Sequence, residues 1–405
     1  MTTRAEAVKA VEATYVLQNY KRHPVVFVRG SGSRLVDTEG REYLDLLSGI
    51  GVASLGHAHR GLADALSAQA GELLHVSNLF FHPLQGEVAE RLARLSGLPR
   101  AFFCNSGTEA VEACLKFARR YWRSQGVDDR HDIVAFEGAF HGRTFGSLSV
   151  TAGEPYRTPF APLLPGVRFV SPADPDGVRD AVTGRTAAVI VEPIQGEGGV
   201  RPIPPATTAA IAEACAATGT LLIADEVQCG LGRTGRPFYS AALGLTPDLM
   251  SVGKSLGGGF PVAAALMSEA VAAAVSYGDH GTTYGGNLLA CRAALVFLDA
   301  LGNGLIERVA AAGRRFRQGL DALVADSGAV HEVRGDGLMW GIEVDRAVAD
   351  RAVDCALARG LLINRTAGTV VRLLPPLDIS DDDIDDGLRR LRLALDDAGA
   401  ALPAA

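Results

Sequence analysis

From about residue 60 onward, the chain alternates segments of helical periodicity with short, unbroken apolar runs, and this alternation limits its folds more than any other feature. Apolar residues recur at three- and four-residue spacing over 60–75, 85–96, 108–124 and 205–218, the pattern of helices that bury one face. Between and after them stand IVAF (133–136), VRFV (167–170), AAVIV (187–191), TLLIAD (220–225), DLMSV (248–252) and VAAALM (262–267). A strand that is apolar on both sides must be covered on both sides. The alternation therefore predicts a mostly parallel sheet between two helical layers, an α/β fold.

The two ends of the chain have other patterns. Residues 25–46 alternate polar and apolar positions around the turn signals Gly30–Ser33 and Glu39–Gly40, which predicts short antiparallel strands. After Asn287 a long helical stretch leads into a second βα region: VHEVR, LMWGIEV, a helix over 346–359, LLIN, VVRLL and a terminal helix from about 380. No linker rich in proline, glycine or serine separates the parts, and no internal repeat is present. The expected organisation is an N-terminal flap over 1–50 packing with the small domain, a large domain over 51–300, and a small C-terminal α/β domain over 301–405.

Composition narrows the function. Lysine plus arginine number 39 against 46 acidic residues, a net charge of −7, with no cationic run. That balance excludes a nucleic-acid reader and a polybasic membrane binder. The six cysteines are scattered without a CxxC pair, as expected for buried free thiols in a reducing compartment. The N-terminal MTTRAEAVKA has no apolar signal region, and PVAAALMSEAVAAAV is broken by Ser268 and Glu269. Neither export nor a membrane span is indicated, and a cytoplasmic location is expected.

Only four of the basic residues are lysines (Lys9, Lys21, Lys116 and Lys254). Lys254, in SVGKSLGGGFP, follows an apolar strand and precedes three glycines, at the strand end where open α/β sheets place ligands. A surface position is the commonest fate of lysine. A phosphate-binding P-loop needs glycine five positions before Gly253, and Asp248 stands there. A lysine among apolar and glycine residues suits Schiff-base chemistry. Asp225 ends TLLIAD, 29 residues before Lys254, which is room for a crossover that brings both to one sheet edge. Its carboxylate fits a helix cap, a metal ligand or the partner of a cationic ring. No His or Cys neighbours it in sequence, and no metal is expected. In FFCNSGTEAVEACLKFARR a strand runs through Asn105, Ser106, Gly107 and Thr108 into an amphipathic helix, whose start either binds an anion or is capped in the ordinary way.

In order along the chain, NSGTEA, EGAFHGRT, VEPIQGEGG, IADEVQCGLGRTG, SVGKSLGGGFP and HGTTYGGN resemble the motifs of the class III (ornithine-aminotransferase-like) aminotransferases over about residues 15–390. The resemblance implies the fold type I architecture of pyridoxal-phosphate-dependent transferases, with pyridoxal 5'-phosphate as cofactor. It makes Lys254 the cofactor-bearing lysine and Asp225 the partner of the pyridinium nitrogen. Glu226, Val227 and Gln228 would continue along the ring, with Phe140 stacked on its other face. Ser106, Gly107 and Thr108 would hold the phosphate, completed by Thr283 of a neighbouring subunit in a homodimer. Arg143 would bind a substrate carboxylate and Arg372 the α-carboxylate of glutamate or 2-oxoglutarate, with Glu197 covering Arg372 while the amino donor is bound. Thr282 and Tyr20 would also meet substrate. The family pattern usually has proline where this chain has Leu288.

Ile50 stands in LLSGIGVASLGHAH where ornithine-using members commonly carry tyrosine, and it leaves room for an acylated amine. The implied reaction moves the terminal amino group of N-acetylornithine to 2-oxoglutarate, giving N-acetylglutamate 5-semialdehyde and glutamate, a step of arginine biosynthesis. Ornithine, succinylornithine, acetyl-lysine and 4-aminobutyrate are the alternative donors. A catalytically silent binding protein is the alternative of another class, and the intact Lys254 and Asp225 argue against it.

Overall fold

Every residue of the strands Thr186–Val191, Leu221–Asp225, Leu249–Val252 and Ala263–Met267 is buried, which accounts for their lack of alternation. In the computed structural model, which describes residues 3–400, they form the middle of a seven-stranded sheet. From one edge the order is Arg100–Cys104, Ala263–Met267, Leu249–Val252, Leu221–Asp225, Thr186–Val191, Asp132–Phe136 and Val167–Val170. Ala263–Met267 runs antiparallel to both of its neighbours, and every other pairing is parallel. Six strands therefore share one direction and one carboxyl edge.

The pleat divides the covering layers residue by residue. Ile133, Ile190 and Ile223 face the helix Gly107–Ser124, packing with its Val111, Cys114, Leu115 and Ala118. Val134, Val189 and Leu222, each one residue away in sequence, face Ala210, Ile211 and Ala214 of the helix Pro205–Thr218. A third cluster joins Val252 and Leu256 to Phe297, Phe316, Trp340 and Leu391, so the C-terminal region and the large sheet share one core. Phe316 is fully buried there, and truncating such a phenylalanine costs about 3–5 kcal/mol.

That shared core is built around Leu288–Ala300, which runs on through Leu301–Leu305 into Ile306–Asp326 with non-helical dihedrals at Asn303 and Gly304. By length and composition the stretch Leu288–Asp326 is apolar enough to cross a membrane, but its Cys291, Phe297, Val309 and Phe316 are buried in the protein. Leu288 occupies the first position of this helix, after the cap in which Asn287 Oδ1 accepts from Ala290 N at 3.0 Å. Proline is favoured at that position because its amide needs no partner, and leucine is tolerated for the same reason.

The C-terminal region carries an antiparallel sheet in the order Val330–Asp336, Met339–Val344, Val370–Leu373, Asn364–Thr366. The N-terminal strands Phe27–Ser31, Arg34–Asp37 and Glu42–Asp45 form a further sheet, closed by parallel pairing of Leu44 with Leu361. The helix Arg4–Tyr15 and the two-residue strands Ile194–Gln195 and Arg201–Pro202 were not anticipated from periodicity. Such strands are too short to show a period. At Ser48–Gly51 four consecutive residues have positive φ (46°, 64°, 66° and 77°), and Ile50 (φ 66°, ψ 50°) is exposed. A left-handed conformation costs a β-branched residue about 1–2 kcal/mol.

Candidate active site

The loops that leave five co-directional strands meet at the carboxyl edge of the sheet, where a doubly covered sheet opens a crevice. They line a cavity of about 250 Å³ whose walls include Thr108, Phe140, Arg143, Asp225, Val227 and Lys254. Lys254 follows its strand through Gly253 and adopts φ 37°, in the left-handed region. Burial, and next the positive Arg372, lower the pKa of its amine, against the pull of Glu197, Glu192 and Asp225.

Asp225 is buried and triply held. Its Oδ2 accepts from His141 Nδ1 at 2.7 Å, and its Oδ1 accepts from Ser251 Oγ at 2.9 Å and Val227 N at 3.1 Å. The carboxylate only accepts, so the His141 proton lies on Nδ1. His141 Nε2 is buried without a hydrogen-bond partner. Glu192, just past the strand Thr186–Val191, accepts from Phe140 N at 2.7 Å and Gly196 N at 3.2 Å, and so ties the Phe140 loop to the segment that bears Glu197. Burial first, and the negative Asp225, push its carboxyl up to about 7 against the opposing pull of His141.

The helix Gly107–Ser124 points its amino end into the cavity. Glu109 Oε2 takes the N–H groups of Asn105 and Ser106 at 2.6 and 3.0 Å, and Ser106 Oγ caps Glu109 N. Among the described residues, the N–H groups of Gly107 and Thr108 have no loop or side-chain acceptor. A Cβ on Gly107 would fall 2.7 Å from Val227 Cγ1, so only glycine allows this close approach. Thr108 Oγ1 accepts from Arg143 N at 3.2 Å and contacts Ser147 Oγ at 2.6 Å, which fixes the Arg143 loop to the helix start.

Arg372 reaches the site from the C-terminal sheet, fully buried. Its Nη1 donates to Glu197 Oε1 at 2.6 Å and to Gln228 Oε1 at 3.2 Å, and its Nε donates to Asn364 Oδ1 at 3.2 Å. The second terminal nitrogen, Nη2, is buried without a partner. Burial raises the Glu197 carboxyl, but the charge of Arg372 and its hydrogen bond outweigh that and hold it below the usual range. Arg143, by contrast, is exposed and makes no ion pair among the described residues.

Some expected residues lie elsewhere. Glu226 is fully buried and turned away from the cavity: its carboxylate accepts from Ser240 N at 2.6 Å and Cys229 Sγ at 3.1 Å. The position after a strand-end aspartate points to the opposite side of the chain, so the Glu226 side chain lies outside the cavity in which it was expected. Ser106 caps its helix and does not line the cavity. Tyr20 is exposed, and Thr282 Oγ1 accepts from Gly285 N at 3.1 Å within its own turn. Thr283 is exposed and lines no part of its own chain's cavity. His141 and Glu192 were not anticipated, although a histidine beside Phe140 and a glutamate directly after a buried strand were available as signals.

Residues 15–395 match the family model described as Aminotransferase class-III. The chain belongs to the class-III aminotransferases. It is 44% identical to the acetylornithine aminotransferase of Methanocaldococcus jannaschii over 93% of this chain and 94% of that one. To the Aquifex aeolicus acetylornithine aminotransferase it is 45% identical, over 94% and 99%. Among solved structures, the ornithine aminotransferase of Toxoplasma gondii superposes with a TM-score of 0.94 at 32% identity, covering 98% of this chain and 96% of that one. The N-acetylornithine aminotransferase of Stenotrophomonas maltophilia gives 0.84 at 35%, covering 97% and 100%.

This aminotransferase is a pyridoxal-phosphate-dependent transaminase, and its cavity fits that cofactor. The unpaired N–H groups at the helix start suit a phosphate, the apolar side chains of Phe140 and Val227 in the cavity lining suit a flat ring, and Asp225 and Lys254 place a carboxylate and an amine in the same lining.

Proposed function

We propose that this aminotransferase transfers the terminal amino group of N-acetylornithine to 2-oxoglutarate, yielding N-acetylglutamate 5-semialdehyde and glutamate. The observation that carries this reading is the contrast between two arginines: Arg143 lines the cavity and is open, whereas Arg372, hydrogen-bonded to the cavity-lining Gln228, is closed by Glu197. A donor whose reacting end is an amine and whose far end is a carboxylate needs only the open arginine. A dicarboxylate needs both. The curated relatives with 44% and 45% identity carry the acetylornithine activity in their names.

When bound, pyridoxal phosphate supplies a carbonyl for the amine and an electron sink for the carbanion. Gly107 and Thr108 hold its phosphate at the helix start, Phe140 and Val227 enclose its ring, and Asp225 keeps its ring nitrogen protonated. His141 and Ser251 hold Asp225 in place. Burial and the nearby Arg372 lower the pKa of Lys254, which favours loss of its proton, and its amine takes the proton from the carbon that bears the donor's amine. Arg143 receives the far carboxylate of the donor in the first half-reaction and the γ-carboxylate of 2-oxoglutarate in the second. Glu197 neutralises Arg372 until the α-carboxylate of 2-oxoglutarate takes its place, where Nη2 is free to complete a bidentate pair.

The working unit is a homodimer in the cytoplasm, with Thr283 reaching the phosphate site of a second copy. Supporting this, Asn78 Nδ2 donates to Gly285 O at 3.0 Å, joining the Thr283 turn to a surface that exposes Leu79, Phe80 and Phe81. Steady-state kinetics with 2-oxoglutarate over a donor panel test the substrate. N-acetylornithine is expected to give the highest kcat/KM, and faster turnover of free ornithine rejects the assignment. Lys254→Ala is expected to abolish turnover and the visible absorption of lysine-bound cofactor.

A further inference from the structure

Arg143 has no carboxylate partner among the described residues, yet its guanidinium is held. Its central carbon lies 3.7 Å from the centroid of the Tyr156 ring and 5.5 Å from that of Phe140. The two rings stand edge to face, 6.3 Å apart at 87°. An aromatic face attracts the flat face of a guanidinium and leaves its in-plane N–H groups free, and those are the groups that recognise a carboxylate. Tyr156 lies in the short turn Glu154–Arg157, and a Cβ on Gly153 would come within 2.8 Å of its ring. Glycine at 153 is thus what lets the ring occupy this place.

Tyr156 also stands where two cavities meet. Arg143 lines the 250 Å³ cavity above Lys254, and Tyr156 lines an adjoining cavity of about 910 Å³ together with Glu154, Arg157, Phe169 and Glu197. Phe140 lines both. We propose that Tyr156 is a positioning residue: its ring face holds Arg143 so that the guanidinium edge meets the carboxylate common to the acylated amino donor and 2-oxoglutarate, and the donor's acyl arm extends into the larger cavity. The proposal rests on the reading of Arg143 as the carboxylate receptor.

The test uses the holoenzyme and the variants Arg143→Ala, Tyr156→Ala, Tyr156→Leu and Tyr156→Phe, each with an unaltered cofactor spectrum. Tyr156→Ala and Tyr156→Leu are expected to raise KM for both N-acetylornithine and 2-oxoglutarate about 3- to 30-fold with little change in kcat, the range expected for a lost cation–π contact. Tyr156→Phe keeps the ring face and is expected to behave as wild type. N-acetylputrescine is N-acetylornithine without its carboxylate, and its single-turnover rate is expected to be unaffected by any of these variants. Arg143→Ala combined with Tyr156→Ala should be no worse than Arg143→Ala alone.

If Arg143→Ala leaves both KM values unchanged, the reading of Arg143 fails. If Arg143→Ala raises them and neither Tyr156→Ala nor Tyr156→Leu does, the positioning role alone fails. Loss in Tyr156→Phe equal to that in Tyr156→Ala assigns the effect to the hydroxyl and overturns the proposal. Equal damage to N-acetylputrescine turnover overturns it as well.

Discussion

A lysine held at φ 37° is strained before it does any chemistry, at a cost of about 1–3 kcal/mol. The buried strand before it and the glycines after it fix its place, and burial beside Arg372 then keeps its amine poised to lose a proton. Glu192 is its acidic counterpart. Its folded pKa of about 7 lies above the ordinary 4.5, so its stabilising contribution is complete below about pH 4.5 and is lost as pH rises through about 7. Thermal unfolding of the cofactor-free protein from about pH 5 to about pH 8 should show this decline, and Glu192→Gln should flatten it. Gly107→Ala should lower stability by about 1–3 kcal/mol and weaken cofactor binding, read by thermal shift and cofactor titration, because its Cβ has nowhere to go beside Val227. Lys254 and Asp225 were legible in the sequence because strand ends in such sheets have a known use. The positions of His141 and Glu192 were also signalled, but their roles were not, because these lie in contacts across strands far apart in the chain. Glu226 faces away from the cavity because consecutive residues at a strand end point to opposite sides of the chain.

Among the elements, the helix Gly107–Ser124 does two jobs with one terminus. Glu109 absorbs the amides of Asn105 and Ser106 and leaves those of Gly107 and Thr108 for an anion, at the positive end of an 18-residue dipole. Ser106→Ala removes the cap and should cost about 0.5–2 kcal/mol in urea unfolding of the cofactor-free protein, with the helix still formed. The buried strands and long helices were legible because burial on both faces or on one stripe writes a period into the sequence. The strand Asp132–Phe136, buried from Ile133 onward, illustrates this. The antiparallel direction of Ala263–Met267 was not legible, since an apolar run has no polarity. Nor was the left-handed run at Ser48–Gly51, which its flanking elements hold against local preference.

For the whole molecule, the proposed exchange of Thr283 between copies makes a prediction that one chain alone cannot satisfy. Lys254→Ala and Thr283→Ala chains are each defective, and mixed dimers should contain one complete site. Co-refolding the two in equal amounts should therefore restore about one quarter of wild-type activity, because half the dimers are mixed and each has one good site of two. No recovery above the Thr283→Ala background would place the threonine's role within its own chain. The shared carboxyl edge was foreseeable from the alternation of strands and helices, but the sheet order was not, because periodicity does not say which strands are neighbours.

That order sets a schedule for the growing chain. Among the described residues, the edge strand Arg100–Cys104 pairs only with Ala263–Met267, so its backbone waits unpaired while the intervening residues are made. At synthesis rates of 5–20 residues per second, the wait is roughly 8–30 s. During that time an apolar strand with Phe102 and Phe103 is open to pairing with other chains. Lys254 emerges only near the end of the same interval. A nascent chain therefore cannot gain stability from its cofactor until its most aggregation-prone period is almost over.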